Sequence, residues 1–187
     1  MIIKRIQGGV ADSIETHKST YFKQIYSDLP ILKDTIIIDP FARNCELATI
    51  TNDINPDTNA NYCMDALDFL CMLPSEMADI VIFDPPFSRT QNKRKYGEIA
   101  NVYTKPGYVK KCMLQIIRIL KPNGVLMKLG YNSTRHLPAL ELNKLYIVNF
   151  GGNRNDVIVS IWINKQKPLS YYMKLKRDSG KNCVVGE

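Results

Sequence analysis

An acidic residue leaves the end of the apolar run Ile80-Val81-Ile82-Phe83, and two prolines and an aromatic ring follow it, as Asp84-Pro85-Pro86-Phe87. Together these residue types suit one kind of chemistry. Proline fixes φ and removes a backbone N–H, so the stretch offers mainly acceptors. Each proline also keeps the residue before it out of the helical region. The product is a stiff pair of acceptors, the Asp84 carboxylate and the Pro85 carbonyl, beside the flat wall of Phe87. That arrangement fits an exocyclic amino group on a planar base, whose two N–H bonds are accepted while the ring is stacked. A plain turn after a core strand would use the same tetrapeptide, because Asp commonly starts turns. What lies upstream decides between the two.

Three more carboxylates stand upstream. Asp39 and Asp53 end β-branched stretches, and Asp65 precedes a helical pattern. Any one of them could cap a turn or a helix, and Asp65 has the position of an N-cap. Four carboxylates in this order, at one rim of a sheet, point to a shared site, because open α/β sheets bind ligands at the carboxyl ends of their strands.

The elements that must position them follow from pattern. Residues 34–39, 48–53 and 79–84 read as strands, the last a continuous apolar run suited to a sheet covered on both faces. Residues 18–27 read as a short helix with Tyr21, Phe22, Ile25 and Tyr26 on one side. Residues 66–72 read as a helix stopped near Pro74, and 108–120 as a longer amphipathic one ended by Lys121-Pro122-Asn123-Gly124. Strands are then expected at 125–129, 145–150 and 157–163, the last two joined through Gly151-Gly152 as a hairpin. Alternating strands and helices predict an open, mostly parallel α/β sheet with a C-terminal antiparallel hairpin. The organisation expected is one domain over 1–165, with no separate target-recognition domain, and a basic polar tail over 166–187.

Charge is unevenly placed. The chain of 187 residues carries +7 net, but residues 1–87 sum to −7 and residues 88–187 to +14. The basic half begins directly after the proline box, at Ser88-Arg89-Thr90-Gln91-Asn92-Lys93-Arg94-Lys95-Tyr96-Gly97. A solvated lysine-rich surface has this composition too. Its position favours a nucleic-acid contact made by Arg89, Lys93, Arg94, Lys95 and Tyr96. The stretch 88–107 is long for a loop in a compact domain, which also favours function. Tyr103 and Tyr108 could stack on bases, Tyr108 equally well packing in the core; Trp162 reads as a sheet residue. Five cysteines without a Cys-x-x-Cys pair, and two isolated histidines, argue against a disulfide framework or a metal site. No secretory signal or membrane span is expected, which points to the cytoplasm, that of the host if a phage encodes the chain.

The boxes also carry a resemblance. Asp39-Pro40-Phe41-Ala42 resembles the first cofactor box of amino-group nucleic-acid methyltransferases that use S-adenosylmethionine. Asn52-Asp53-Ile54-Asn55-Pro56 resembles the next, whose acid accepts from ribose hydroxyls. Asp65-Ala66-Leu67-Asp68-Phe69-Leu70 resembles the third, whose first Asp holds the adenine, and Asp84-Pro85-Pro86-Phe87 is similar to the catalytic box. Leu129-Gly130-Tyr131-Asn132-Ser133 and Gly151-Gly152-Asn153-Arg154-Asn155-Asp156 look like segments of small phage-type adenine-N6 DNA methyltransferases. The resemblance runs over about residues 20–165 and implies a Rossmann-like methyltransferase fold, S-adenosylmethionine as cofactor, no metal, and a nucleic-acid partner, with DNA favoured and a homodimer allowed.

One departure stands out. Arg43-Asn44-Cys45 occupies the place where Gly-x-Gly would let backbone approach the cofactor. The spacing from Asp39 to Ala48 is short for a helical crossover, so the first helix is expected to shrink to about one turn. Guanine N2 in RNA and cytosine N4 stay open as targets, since Asp-Pro-Pro-Phe boxes also occur in ribosomal enzymes of similar size. So does a non-catalytic nucleic-acid-binding subunit with a decayed cofactor pocket.

Overall fold

The apolar runs around Ile38 and Val81 lie side by side in the interior of one sheet. The computed structural model describes residues 1–8, 16–86, 106–132, 139–151 and 155–167. Among these residues the strands are β1 (Ile2–Gln7), β2 (Ile37–Asp39), β3 (Ile50–Thr51), β4 (Ala78–Phe83), β5 (Leu120–Gly130), β6 (Leu140–Asn149) and β7 (Val157–Asn164). The α-helices are α1 (Thr20–Ser27), α2 (Ala66–Met72) and α3 (Tyr108–Ile119). The strands form a single sheet in the order β1-β6-β7-β5-β4-β2-β3. Strand β7 runs antiparallel to both β5 and β6, and all other pairs are parallel. The expected mostly parallel sheet with a C-terminal antiparallel pair is therefore present.

Alternation along the central strands sends side chains to two cores. Ile37, Ile80, Ile82 and Met127 pack with Tyr21, Phe22 and Ile25 of α1. Ile38, Val81, Phe83 and Leu126 pack on the other face with Phe69 and Leu70 of α2 and Cys112 and Ile116 of α3. Period-two geometry requires this split, and burial on both faces explains why β4 has no polar position before Asp84 except Asp79. Each fully buried Ile, Leu or Phe contributes about 1.5–3 kcal/mol.

Local signals set the helix ends. The Ser19 hydroxyl accepts from the Phe22 N–H and caps α1. Asp65 caps α2 through the Leu67 N–H at 2.8 Å. At the other end of α2, the Arg118 guanidinium donates to the carbonyls of Leu70 at 2.9 Å and Leu73 at 2.8 Å, tying α3 to the last turn. Those carbonyls have no intrahelical partner, and an arginine fork suits them.

Four details differ from sequence expectation. Strand β1 was not foreseen. The strand expected over 34–39 begins at Ile37, because the Ile36 N–H donates to the Asp79 carboxylate at 2.9 Å instead of to a neighbouring strand. The Lys121-Pro122-Asn123-Gly124 stop lies inside β5 as an irregularity: Ala78 pairs with Leu120 and Ile80 with Val125. Asn123 there has φ 64, and a Cβ on Gly124 would sit 2.8 Å from the Lys121 carbonyl. Finally, residues 40–49 contain turns and bends only, so the first crossover helix is absent rather than one turn long.

Candidate functional site at the strand tips

Asp39 ends β2 and Asp84 follows β4, and these two strands are neighbours. Asp39 is buried, at 4% exposure, and its carboxylate accepts the Phe41 N–H at 2.9 Å. Burial pushes its pKa up to about 8, opposed by that hydrogen bond and reinforced by the charges of Asp84 and Asp53. Asp84 and Asp53 therefore both act on Asp39 at the carboxyl edge of the sheet. Asp84 is half-buried, Pro85 buried and Pro86 half-buried.

Asp53 is fully enclosed, at 1% exposure. One oxygen accepts the Arg43 N–H at 3.0 Å and the other the Asn55 N–H at 2.9 Å. Both oxygens thus clamp loops, and a sugar hydroxyl would have to use their remaining lone pairs. Ile54 beside it is half-buried. Next to it, Asn52 is fully buried and ties three segments together: its amide donates to the carbonyls of Pro40 and Met64, and its oxygen accepts the Met64 N–H. Pro40, Phe41 and Ala42 are buried, with the Phe41 ring edge-on to Phe83 at 5.5 Å. These residues wall the tip of β2 against water.

Asp65 sits at the start of α2. Its Oδ1 accepts from the Leu67 N–H and from the Tyr108 hydroxyl at 2.9 Å, while its Oδ2 is buried and has no hydrogen-bond partner. A buried carboxylate oxygen without a donor is costly, and an amino group delivered by a ligand would satisfy it. Ala66 is fully buried and Leu67 half-buried beneath it. Tyr108 is a buried positioning group for Asp65, the core alternative of its two expected roles.

Two aromatic hydroxyls, one of them within electrostatic reach of Asp84, were missed. Tyr21, on α1, has its pKa raised by burial and then by Asp84, with Tyr131 contributing. Tyr131 lies just after β5 and is 39% exposed. From sequence Tyr21 was only an apolar-face residue; a phenol in the first turn of the helix that covers the strand tips was the available signal. Phe87, Arg89, Lys93, Arg94, Lys95, Tyr96 and Tyr103 lie outside the described residues, as do Ser133 and residues 152–154. Among the described residues no group of His, Cys, Asp and Glu is arranged to hold a metal ion, and no helix is long and apolar enough to cross a membrane.

No protein-family model matches the chain, and no curated protein matches it. Solved structures do. The chain superposes on yhhF of Escherichia coli, named as a methyltransferase, with a TM-score of 0.57 at 14% identity, over 84% of this chain and 91% of that one. A protein named as a methylase, HI0767 of Haemophilus influenzae, matches with a TM-score of 0.50 at 15% identity, over 77% and 88% of the two chains. At such identities the likeness is one of fold: the chain has the Rossmann-like fold of these structures.

Proposed function

We propose that this protein transfers a methyl group from S-adenosylmethionine to the exocyclic amino group of a nucleobase, with adenine N6 in DNA as the first target to test. The observation that carries the reading is the convergence of Asp39, Asp53 and Asp84 at adjacent strand tips, in a fold shared with structures named as methyltransferases. When bound, the cofactor supplies a methyl group activated by its positive sulfonium. An acidic rim suits that cation, and the buried Asp65 Oδ2 suits an adenine amino group.

The chain's own residues then act on the target. An exocyclic amine is a poor nucleophile because its lone pair is conjugated into the ring. Asp84 and the Pro85 carbonyl accept its two hydrogens and favour a pyramidal nitrogen. Phe87 stacks on the base, and the Tyr21 phenol lies within electrostatic reach of the Asp84 carboxylate. Overall the methyl–sulfur bond breaks and a carbon–nitrogen bond forms; the sulfonium becomes a neutral thioether and the nitrogen loses one proton to solvent. Preorganised acceptors of this kind are worth several kcal/mol. A paired base hides its amino group, so the base must be extruded or already unpaired, and Arg89, Lys93, Arg94, Lys95 and Tyr96 are proposed to grip the strand.

The test is transfer of labelled methyl to duplex DNA, single-stranded DNA and RNA, with analysis of the modified base. Label on adenine N6 of DNA supports the first target; label on guanine N2 of RNA moves the reading to RNA. Asp84→Ala should lower turnover by about a thousandfold while changing cofactor affinity by less than about threefold. Unchanged turnover would remove Asp84 from the catalytic role.

A further inference from the structure

The loop after β2 has no backbone donor to spare at four of its positions. The Phe41 N–H goes to Asp39, the Ala42 N–H to the Asn52 carbonyl, the Arg43 N–H to Asp53, and the Cys45 N–H to the Ala42 carbonyl. No helix begins within residues 40–49, so the dipole and the row of free N–H groups that usually receive the anionic end of a ligand at this place in the fold are also missing. Yet Arg43 holds the left-handed backbone, at φ 52, that a glycine-rich turn would adopt. Its side-chain Nε and Nη1 are buried and have no hydrogen-bond partner. Two desolvated donors of a permanent cation are costly unless something accepts from them.

We propose that Arg43 is the receptor for the carboxylate at the amino-acid end of S-adenosylmethionine, so that its side chain supplies what a glycine-rich turn and helix N-terminus supply through backbone. The inference rests on the cofactor reading above. Charge balance favours a carboxylate: the rim holds Asp53 and Asp84 beside the protonated Asp39, and these two acids suit the sulfonium and ammonium of the cofactor and repel its carboxylate. The anionic end therefore needs a cation, and the unpartnered guanidinium donors can give charge-assisted hydrogen bonds to a carboxylate.

Calorimetry with S-adenosylmethionine and with its decarboxylated form, which lacks only that group, tests the inference. The wild-type protein should prefer the intact cofactor by about tenfold to a hundredfold, the range for charge-assisted hydrogen bonds. Arg43→Gly suits the left-handed backbone and should erase the preference while leaving affinity for the decarboxylated form within about twofold. Arg43→Asn, which also tolerates that conformation, serves as a second variant should the first fail to fold. Equal weakening of both ligands, or no change in either, overturns the role of Arg43 and leaves the cofactor reading standing. Failure of the wild-type protein to bind either ligand sinks the cofactor reading and this inference with it.

Discussion

Asp39 combines enclosure with ionisable chemistry. Its carboxyl has an ordinary pKa of 3.8, and burial together with two neighbouring acids raises it to about 8 in the folded chain. Between about pH 4 and pH 8 the folded state thus holds a proton that the unfolded state has released. Stability from this group is fully present below the unfolded value and is lost as pH rises through the folded one. The ligand-free protein should melt at lower temperature at pH 8 than at pH 5. Asp39→Asn keeps an oxygen for the Phe41 N–H and removes the titration. It should match the wild type near pH 5 and exceed its stability at pH 8 by roughly 1–3 kcal/mol, read from melting curves across pH. A constant difference between the two proteins would show that Asp39 is not the titrating group. The sequence announced the residue but not its state. An acid after Ile36-Ile37-Ile38 reads equally well as a wet rim group, and only the closure of Pro40, Phe41 and Ala42 over it makes it dry. Arg43 was similarly hard to read, because residue identity gives no sign that a non-glycine residue enters the left-handed region.

Among the elements, α2 is short, at seven residues, and propensity alone cannot hold a helix of that length in water. Asp65 and Tyr108 fix its start, and Arg118 fixes its end. Arg118→Ala should therefore destabilise the protein by about 1.5–3 kcal/mol in denaturant titration, through carbonyls left without a charged donor. Arg118→Lys should recover only part of this, since a point charge cannot serve Leu70 and Leu73 at once. A loss below about 0.5 kcal/mol for the alanine variant would mean that packing alone ends the helix. Elements with continuous apolar character, such as β4, or a clear helical stripe, such as α3, were readable from pattern. Strand β1 was not: its residues Ile-Ile-Lys-Arg-Ile-Gln are mostly exposed, so neither alternation nor burial marks it. Its place comes from main-chain pairing with β6, which no local pattern encodes. The missing first helix was half-readable: the short spacing predicted a reduction, but not that Asp39, Asn52 and Asp53 would take up the backbone groups a helical turn would have used.

Over the whole molecule, acid and base are separated along the chain, with −7 before residue 88 and +14 from there on. The acidic half supplies the strand tips and the basic half begins directly after Asp84-Pro85-Pro86-Phe87. This division suits a cationic cofactor on one side and a polyanion on the other. Replacing Arg89, Lys93, Arg94 and Lys95 with glutamine should weaken nucleic-acid binding and flatten its dependence on salt, lowering the log–log slope by up to about 3–4 for duplex DNA. An unaltered slope would place the phosphate contacts elsewhere. Methyl transfer to a free nucleoside, where no backbone needs gripping, should change little.

Among the described residues β1 pairs with β6, a partner far away in sequence: Ile2 meets Lys144 and Gln7 meets Asn149. Such a strand has no sheet partner until β6 is in place, and the centre of the sheet can assemble without it. Such distant closure makes this margin the late-forming, easily released part of the protein, remote in folding order from the strand tips where the chemistry is proposed.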